Sequence, residues 1–272
     1  MKEHSFPILS YYSQPGEDKE KVKNKIEGER MILQTDTHCH TLSSGHAYST
    51  IGEMAFSAQE KGLKLIAMTD HGPAMPDAPG VTFFRNLRVV PETLHGVEIL
   101  KGAEVNIMSF QGEMDLSDAV LRELDLVIAS LHYPCIKPGS QQENTQALIK
   151  AVEHPSVNIL GHIGNPLYPI DGEAVIKAVK QHGKLIEINN SSLKPNSFRR
   201  GSWENCLGLL KICRDLQVPV VIGSDAHIAG DVGDYQEAEA LSIEAALPEE
   251  LILSTDVKKL KAYLGKADLG TE

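Results

Sequence analysis

Residues 63–75 read LKLIAMTDHGPAM. The apolar run Leu65 to Met68 is too short for a helix, and it ends on Thr69, Asp70 and His71 before Gly72 and Pro73 turn the chain. A buried strand with a polar end fits that pattern. Just upstream, 50–61 (TIGEMAFSAQEK) puts Ile51, Met54, Ala55 and Ala58 on one helical face, with Gly62 where a helix would stop. A helix therefore leads into this strand.

The same device recurs along the chain. Apolar runs stand at 31–33, 65–68, 97–100, 126–129, 157–160, 185–188 and 218–222, and helical spacing fills most of the intervals, clearest at 172–183, 202–217 and 234–247. Alternating strands and helices with short connections predict an α/β domain, a parallel sheet covered by helices. About seven strand–helix units fit either an open doubly wound sheet or a closed barrel. No linker rich in Pro, Gly or Ser divides 31–265, so residues 31–272 read as one catalytic domain. Residues 13–30, SQPGEDKEKVKNKIEGER, carry few large apolar side chains, and 1–30 reads as a partly flexible N-terminal extension.

In both architectures the C-terminal strand ends converge on one site, and the polar residues gather there. His38 and His40 follow the first run, Asp70 and His71 the second, Glu104 the third, His132 the fourth, His162 the fifth, and Asp225 with His227 the last. With His46, seven of the eleven histidines fall at such positions, too many to assign to surface chance.

In THCHTLSSGHAYS (37–49), His38 and His40 flank Cys39, so an extended backbone points both imidazoles one way and Cys39 into packing. In KGAEVN (101–106), a glutamate between Ala103 and Val105 is costly to bury unless paired or metal-bound; Glu98 shares its face if the strand is unbroken. Asp70 suits either a ligand or a brace for a histidine ring. Any one of these residues alone reads as a structural or surface group. Together, seven histidines with Glu104 and Asp225 are nine donors, more than one ion uses, and they imply two or three closely spaced metals. Nitrogen-rich sets suit Zn, Mn or Fe better than Mg or Ca. Such a cluster supplies an activated hydroxide and neutralises phosphoryl oxygens.

Other chemistries lose ground. Lys and Arg total 26 against 37 Asp and Glu, a formal charge of −11, which gives no basic sheath for nucleic acid or anionic membrane. No apolar stretch approaches the length of a membrane span. The cysteines Cys39, Cys135, Cys206 and Cys213 form no CxxC pair, which points to a reducing, cytoplasmic compartment. Neither a phosphate-cradling GxxxxGK[ST], nor GxGxxG at the first strand–helix turn, nor GxSxG is present.

The ordered motifs DTHCHTLSSGHAYS, TDHG, GAEVN, LHYP, GHIGNP, EINNSS and GSDAH resemble the PHP (polymerase and histidinol phosphatase) family, specifically its small stand-alone phosphatase-like branch, from Thr35 to Leu264. The resemblance implies a distorted (β/α)7 barrel, TIM-barrel-like, with three divalent ions (zinc first, Mn or Fe next) at the C-terminal ends of the strands. It also implies the ligand grouping: His38 and His40 with Asp225 at the first ion, Glu104 bridging to His132 and His162 at the second, and His46, His71 and His227 at the third. Asp225, Glu104 and His227 are the implied catalytic residues, and Asp36 an implied brace behind them. Ile163 stands where a close relative carries Pro, and Tyr133 where some carry an acid.

Asn190, Ser192, Lys194, Arg199 and Arg200 are the candidate substrate contacts, Arg because it can grip phosphate bidentately. Tyr48 and Trp203 are candidates for the pocket wall or for helix packing. The expected activity is hydrolysis of a small phosphoric monoester. The competing expectations are a histidinol-phosphatase, a metal-dependent nuclease or phosphodiesterase, and a non-catalytic metal-binding module.

Overall fold

The computed structural model describes residues 31–265, and the compact unit that carries the site begins at Leu33. The expectations for residues 1–30 lie outside the described residues. The strands are β1 (Thr35–Cys39), β2 (Leu65–Met68), β3 (Thr93–Leu94), β4 (Val97–Asn106), β5 (Leu126–Ser130), β6 (Ile159–Leu160), β7 (Leu185–Asn189) and β8 (Val220–Gly223). The helices between and after them are α1 (Ile51–Glu60), α2 (Val81–Asn86), α3 (Asp118–Leu121), α4 (Gln141–Glu153), α5 (Gly172–Gln181), α6 (Asn190–Leu193), α7 (Ser202–Leu216), α8 (Gln236–Glu244) and α9 (Val257–Tyr263). Among the described residues no helix is long and apolar enough to cross a membrane.

Seven strands run parallel in the order β1-β2-β4-β5-β6-β7-β8, with the two-residue β3 as an antiparallel flap on β4. The sheet curls until its ends meet. Cys39 bridges Ala226 in parallel register, and the amides of His40 and Asp225 donate to the carbonyls of Ala226 and His38 at 2.8 and 3.0 Å. Lower down, Ile252 to Thr255 fill the seam: Val220 bridges Ile252, and the Gln34 amide donates to the Ser254 carbonyl at 2.8 Å. The result is a nearly closed, distorted (β/α)7 barrel, which decides against the open sheet.

The first strand is not where hydrophobicity places it. The apolar run 31–33 lies outside β1, and the strand is TDTHC, all five residues buried. Its buried acid is satisfied by backbone amides: Asp36 Oδ1 accepts from the His38 and Ser224 amides at 3.3 and 3.0 Å, and Oδ2 from the Gly233 amide at 3.0 Å. The expected bracing role of Asp36 thus takes the form of pinning the closure between β1 and the end of β8.

Period-two alternation then lifts the site onto the core. Leu65, Ala67, Leu100, Leu126, Ile128, Ile159, Leu185 and Val221 form one buried cluster that Leu260 of α9 joins. Continuing along the same strand faces leads to Thr69 and His71, to Gly102, Glu104 and Asn106, to Ser130 and His132, to Glu187 and Asn189, and to Gly223 and Asp225. Each of these strands is apolar at the floor, and the polar residues stand toward the top. Gly223 marks the crowded layer, since a Cβ there would run into Glu187 Oε1 and come within 2.7 Å of His38 Cβ.

Helix ends explain themselves locally. Thr50 with Glu53 and Ser140 with Glu143 form reciprocal capping boxes at α1 and α4, and Gly62 beyond α1 adopts φ 79°. Glu98 belongs to the floor, where it pairs with Lys261 at 2.8 Å.

Candidate metal centre

Glu104 is the hub of the cluster. It is fully buried, and four imidazoles approach its carboxylate closely: His71 Nδ1 at 2.7 Å, His162 Nε2 at 2.8 Å, His132 Nε2 at 3.3 Å and His38 Nε2 at 3.4 Å. Around it, His40 Nε2 lies 3.2 Å from Asp225 Oδ1, and His38 Nε2 lies 3.0 Å from His40 Nε2. His132 and His162 face each other through Nε2 at 3.2 Å, as do His46 and His71. The His227 ring is centred 4.3 Å from that of His40 and 4.9 Å from that of His46. The fold thus brings all nine candidate donors into one cluster.

The outward ring nitrogens are already spoken for. His38 Nδ1 donates to Glu187 Oε1 at 2.6 Å, and His40 Nδ1 to Ser44 Oγ at 3.1 Å. His132 Nδ1 donates to Asn106 Oδ1 at 2.7 Å, and His227 Nδ1 to the Asp225 carbonyl at 3.0 Å. Each bond commits one nitrogen as donor and turns the lone pair of the other inward, the arrangement of metal-ligating histidines. The braces are themselves braced. Ser44 Oγ donates to Asp70 Oδ1 at 2.7 Å, and Asn106 Nδ2 donates to Asp115 Oδ2 at 2.6 Å. Asp70 is therefore a brace for His40 through Ser44, with both oxygens also taken by Thr41.

Lone pairs so close repel unless a positive centre lies between them. His71 Nδ1 and Glu104 Oε2 make the case plainest: both are buried and 2.7 Å apart, yet neither has a hydrogen-bond partner. Donors about 2.1 Å from one tetrahedral ion lie roughly 3.4 Å apart, so the spacings above suit shared cations. Three triads have donor atoms within 4.8 Å of one another: His38, His40 and Glu104; His71, Glu104 and His132; His40, His71 and His227. The donor set fits divalent metals.

Protonation follows the same logic. Burial, with the neighbouring His71, holds His40 well below the ordinary histidine range, and burial lowers His132 to about 4. Burial would raise Glu104 and Asp225, but His132, His38 and His71 keep the first ionised, and His38, His40 and Arg199 the second. His38 goes the other way. Burial would lower it, yet Glu187, Glu104 and Asp225 raise it well above its usual value, so a metal arriving there displaces a proton.

Two cluster residues sit in strained backbone, His162 at φ 33° and Asp225 at φ 56°. Such conformations cost on the order of 1 kcal/mol and persist where the surroundings over-determine them. Here the His162 amide donates to Glu187 Oε2 at 2.9 Å, and the Asp225 amide closes the barrel on His38.

The five candidate substrate contacts separate. Arg199 is buried, with Nη1 3.2 Å from Asp225 Oδ2 and 3.0 Å from Ser192 Oγ, and its Nε is buried without a hydrogen-bond partner. Asn190 Oδ1 accepts from the Glu237 and Ala238 amides, which commits that oxygen to the start of α8. Lys194 pairs with Asp234 at 2.9 Å, and Arg200 is exposed. Trp203 packs between helices, its Nε1 donating to Glu244 at 3.0 Å, while Tyr48 stands exposed. Cys39 is buried in packing.

Glu187, Asn106, Ser44 and Asp115 are the working residues that composition and spacing pass over. Glu187 carried a readable signal, an acid between Ile186 and Ile188 in a buried strand, the same cost that singles out Glu104.

Comparison with known proteins gives a consistent picture. The family described as PHP domain matches residues 36–192. A "probable phosphatase" of Thermoanaerobacter sp. (strain X514) is 54% identical over 235 residues, covering 86% of this chain and 95% of that protein. Another, from Caldanaerobacter subterraneus subsp. tengcongensis, is 52% identical over 236 residues, covering 86% and 92%. Among solved structures, the histidinol phosphate phosphatase of Lactococcus lactis subsp. lactis, complexed with zinc, L-histidinol and phosphate, superposes with a TM-score of 0.53. It covers 79% of this chain and 95% of its own, at 16% identity, which is a likeness of fold.

Proposed function

The chain belongs to the PHP domain family and is an enzyme of the phosphatase kind, and from that premise we propose that it hydrolyses small phosphoric monoesters with divalent metals held in the histidine–carboxylate cluster. The observation that carries the reading is the Glu104 hub, a buried carboxylate touched by four imidazoles with an unbonded nitrogen–oxygen pair at 2.7 Å. A polar core of this kind needs cations to be stable.

The proposed ligands are His38, His40, Glu104 and Asp225 for one ion, Glu104, His132 and His162 for a second, and His46, His71 and His227 for a third. Zinc heads the candidates, since the Lactococcus lactis protein of this fold holds it. Bound there, the ions would supply an acidified water and positive charge for the phosphoryl oxygens.

The rest is the work of the chain itself. Asp225 divides its carboxylate, Oδ1 toward His40 at 3.2 Å and Oδ2 toward Arg199 at 3.2 Å, which holds it ionised in the cluster and ties the guanidinium to it. Glu104 holds the imidazoles in register. The buried Nε–H of Arg199 is a donor in reserve for a phosphoryl oxygen. His227 and His46 line the open side, where the alcohol departs. The side chain of His227 is 29% exposed, whereas that of His38 is fully buried.

A nuclease finds less support, because a chain of charge −11 lacks the basic surface that phosphodiester backbones require. The direct test is turnover of a panel of phosphate monoesters by metal-replete protein beside an Asp225→Ala variant. Activity in the first and its loss in the second is expected; equal turnover would reject the assignment. Including histidinol phosphate beside a generic ester decides whether the narrower activity applies.

A further inference from the structure

Large apolar side chains stand exposed around the mouth of the cluster, each tied to a cluster residue. Tyr133 (52% exposed) adjoins His132, and Ile228 (48%) adjoins His227. Tyr48 (71%) donates its amide to the His227 carbonyl at 2.8 Å. Phe198 (84%) packs its ring 4.8 Å from the Arg199 guanidinium, which itself reaches Asp225. These four lie on the connections that follow β1, β5, β7 and β8, and so do not mark one loop. Exposed aromatic groups scattered singly mean little, but a group continuous with a buried polar site marks a binding surface.

Three polar side chains beside Phe198 in the chain have partners within the protein. On the β7–α7 connection, Asn190 Oδ1 caps α8, Ser192 Oγ donates to Asn189 Oδ1 at 2.7 Å, and Lys194 pairs with Asp234. A hydroxyl-rich leaving group would find Asn190 Oδ1, Ser192 Oγ and Lys194 Nζ already engaged. An apolar one would meet ring faces and methyl groups and would cover surface that water now wets.

Resting on the phosphatase reading, we propose that the physiological ester has an apolar or aromatic alcohol, seated on the rim formed by Tyr48, Tyr133, Phe198 and Ile228 while its phosphate enters the cluster. Tyr133 and Phe198 are the principal specificity residues. Each ring already carries a cation on one face, Lys137 Nζ lying 3.4 Å from the Tyr133 ring centre and Arg199 beside Phe198. That pairing holds the rings in place without covering both faces.

The test compares kcat/KM for 2-phenylethyl phosphate with that for ethyl phosphate and glycerol 1-phosphate, alkyl esters of similar leaving-group basicity. The wild-type protein should favour the phenylethyl ester by about tenfold or more, the factor expected from covering one further ring with apolar surface. In a Tyr133→Ser, Phe198→Ser variant that ratio should fall toward one, mainly through KM, with the thermal midpoint retained because both side chains are exposed. A wild-type ratio near one, or a ratio that both substitutions leave intact, overturns the proposal while the phosphatase reading stands. Failure of metal-replete wild type to hydrolyse any of the three overturns that reading and the proposal with it.

Discussion

Replacing Glu187 with glutamine should weaken metal binding although Glu187 is not among the proposed ligands. Its Oε1 accepts from His38 Nδ1 at 2.6 Å, and its Oε2 accepts from the His162 amide at 2.9 Å and Asn189 Nδ2 at 3.2 Å. All three partners are donors, which a carboxylate satisfies and a carboxamide cannot. The one oxygen of glutamine should serve the two donors on the Oε2 side, leaving its NH2 against His38. The imidazole must then carry its proton on Nε2, the atom that faces His40 and Glu104, and the inward lone pair is gone. Losing such a brace costs about 10–100-fold in metal affinity. At saturating metal that corresponds to roughly 1.4–2.7 kcal/mol less stabilisation by the ligand. The assay is thermal unfolding with excess chelator and with excess zinc, together with zinc competition against a chromogenic chelator. Glu173→Gln, on an exposed surface pair with Lys177, is the control. A Glu187→Gln protein that matches wild type in zinc affinity would refute the claim that His38 is held as a ligand through its tautomer.

Arg199→Gln removes the guanidinium from Asp225 Oδ2 and should lower kcat/KM for monoesters by about 10²–10³-fold, with partial recovery in Arg199→Lys; steady-state kinetics decide it, and a change under threefold would contradict the role. Ile128→Ala opens a cavity in the fully buried floor directly below Ser130 and His132, and should cost about 2–5 kcal/mol in denaturant unfolding. Acid should destabilise the metal-free protein: burial holds His132 at about 4 and lowers His40 and His46, so the unfolded chain binds more protons once the pH drops below the ordinary histidine value, and stability declines toward pH 4. His38, raised in the fold, and the carboxyls of Asp36, Asp70, Asp115 and Glu237, which burial also raises, oppose this; melts that strengthen on acidification from pH 6.5 to 4 would show that these groups dominate.

Most of the barrel was legible because six of its parallel strands advertise themselves as short apolar runs between helical spacings. The exception is instructive. In β1 the chain buries Thr35, Asp36, Thr37 and His38 at the closure of the sheet, with Asp36 held by backbone amides and His38 by Glu187, so hydrophobicity points to the wrong place, residues 31–33. The donors at the strand ends were legible from residue type and position, because imidazoles after a buried run have few other uses in such number. Their supports were not. Asn106, Ser44 and Asp115 are common polar residues whose role appears only when the fold brings Asp115 to Asn106 and Asn106 to His132. The same holds for Asn190 and Lys194, whose partners on α8 and the preceding loop are 47 and 40 residues distant in sequence and decide whether they face a ligand or the protein.

The most direct measurement is diffraction from crystals of gently purified, metal-replete protein, collected on both sides of the zinc absorption edge. Anomalous peaks about 2.0–2.2 Å from His38 Nε2, His40 Nε2 and Asp225, and from Glu104, His132 and His162, are the predicted result, with Glu104 bridging the two positions. An absence of any peak within bonding distance of Glu104, with the imidazoles unmoved, would contradict a metal-built phosphatase site.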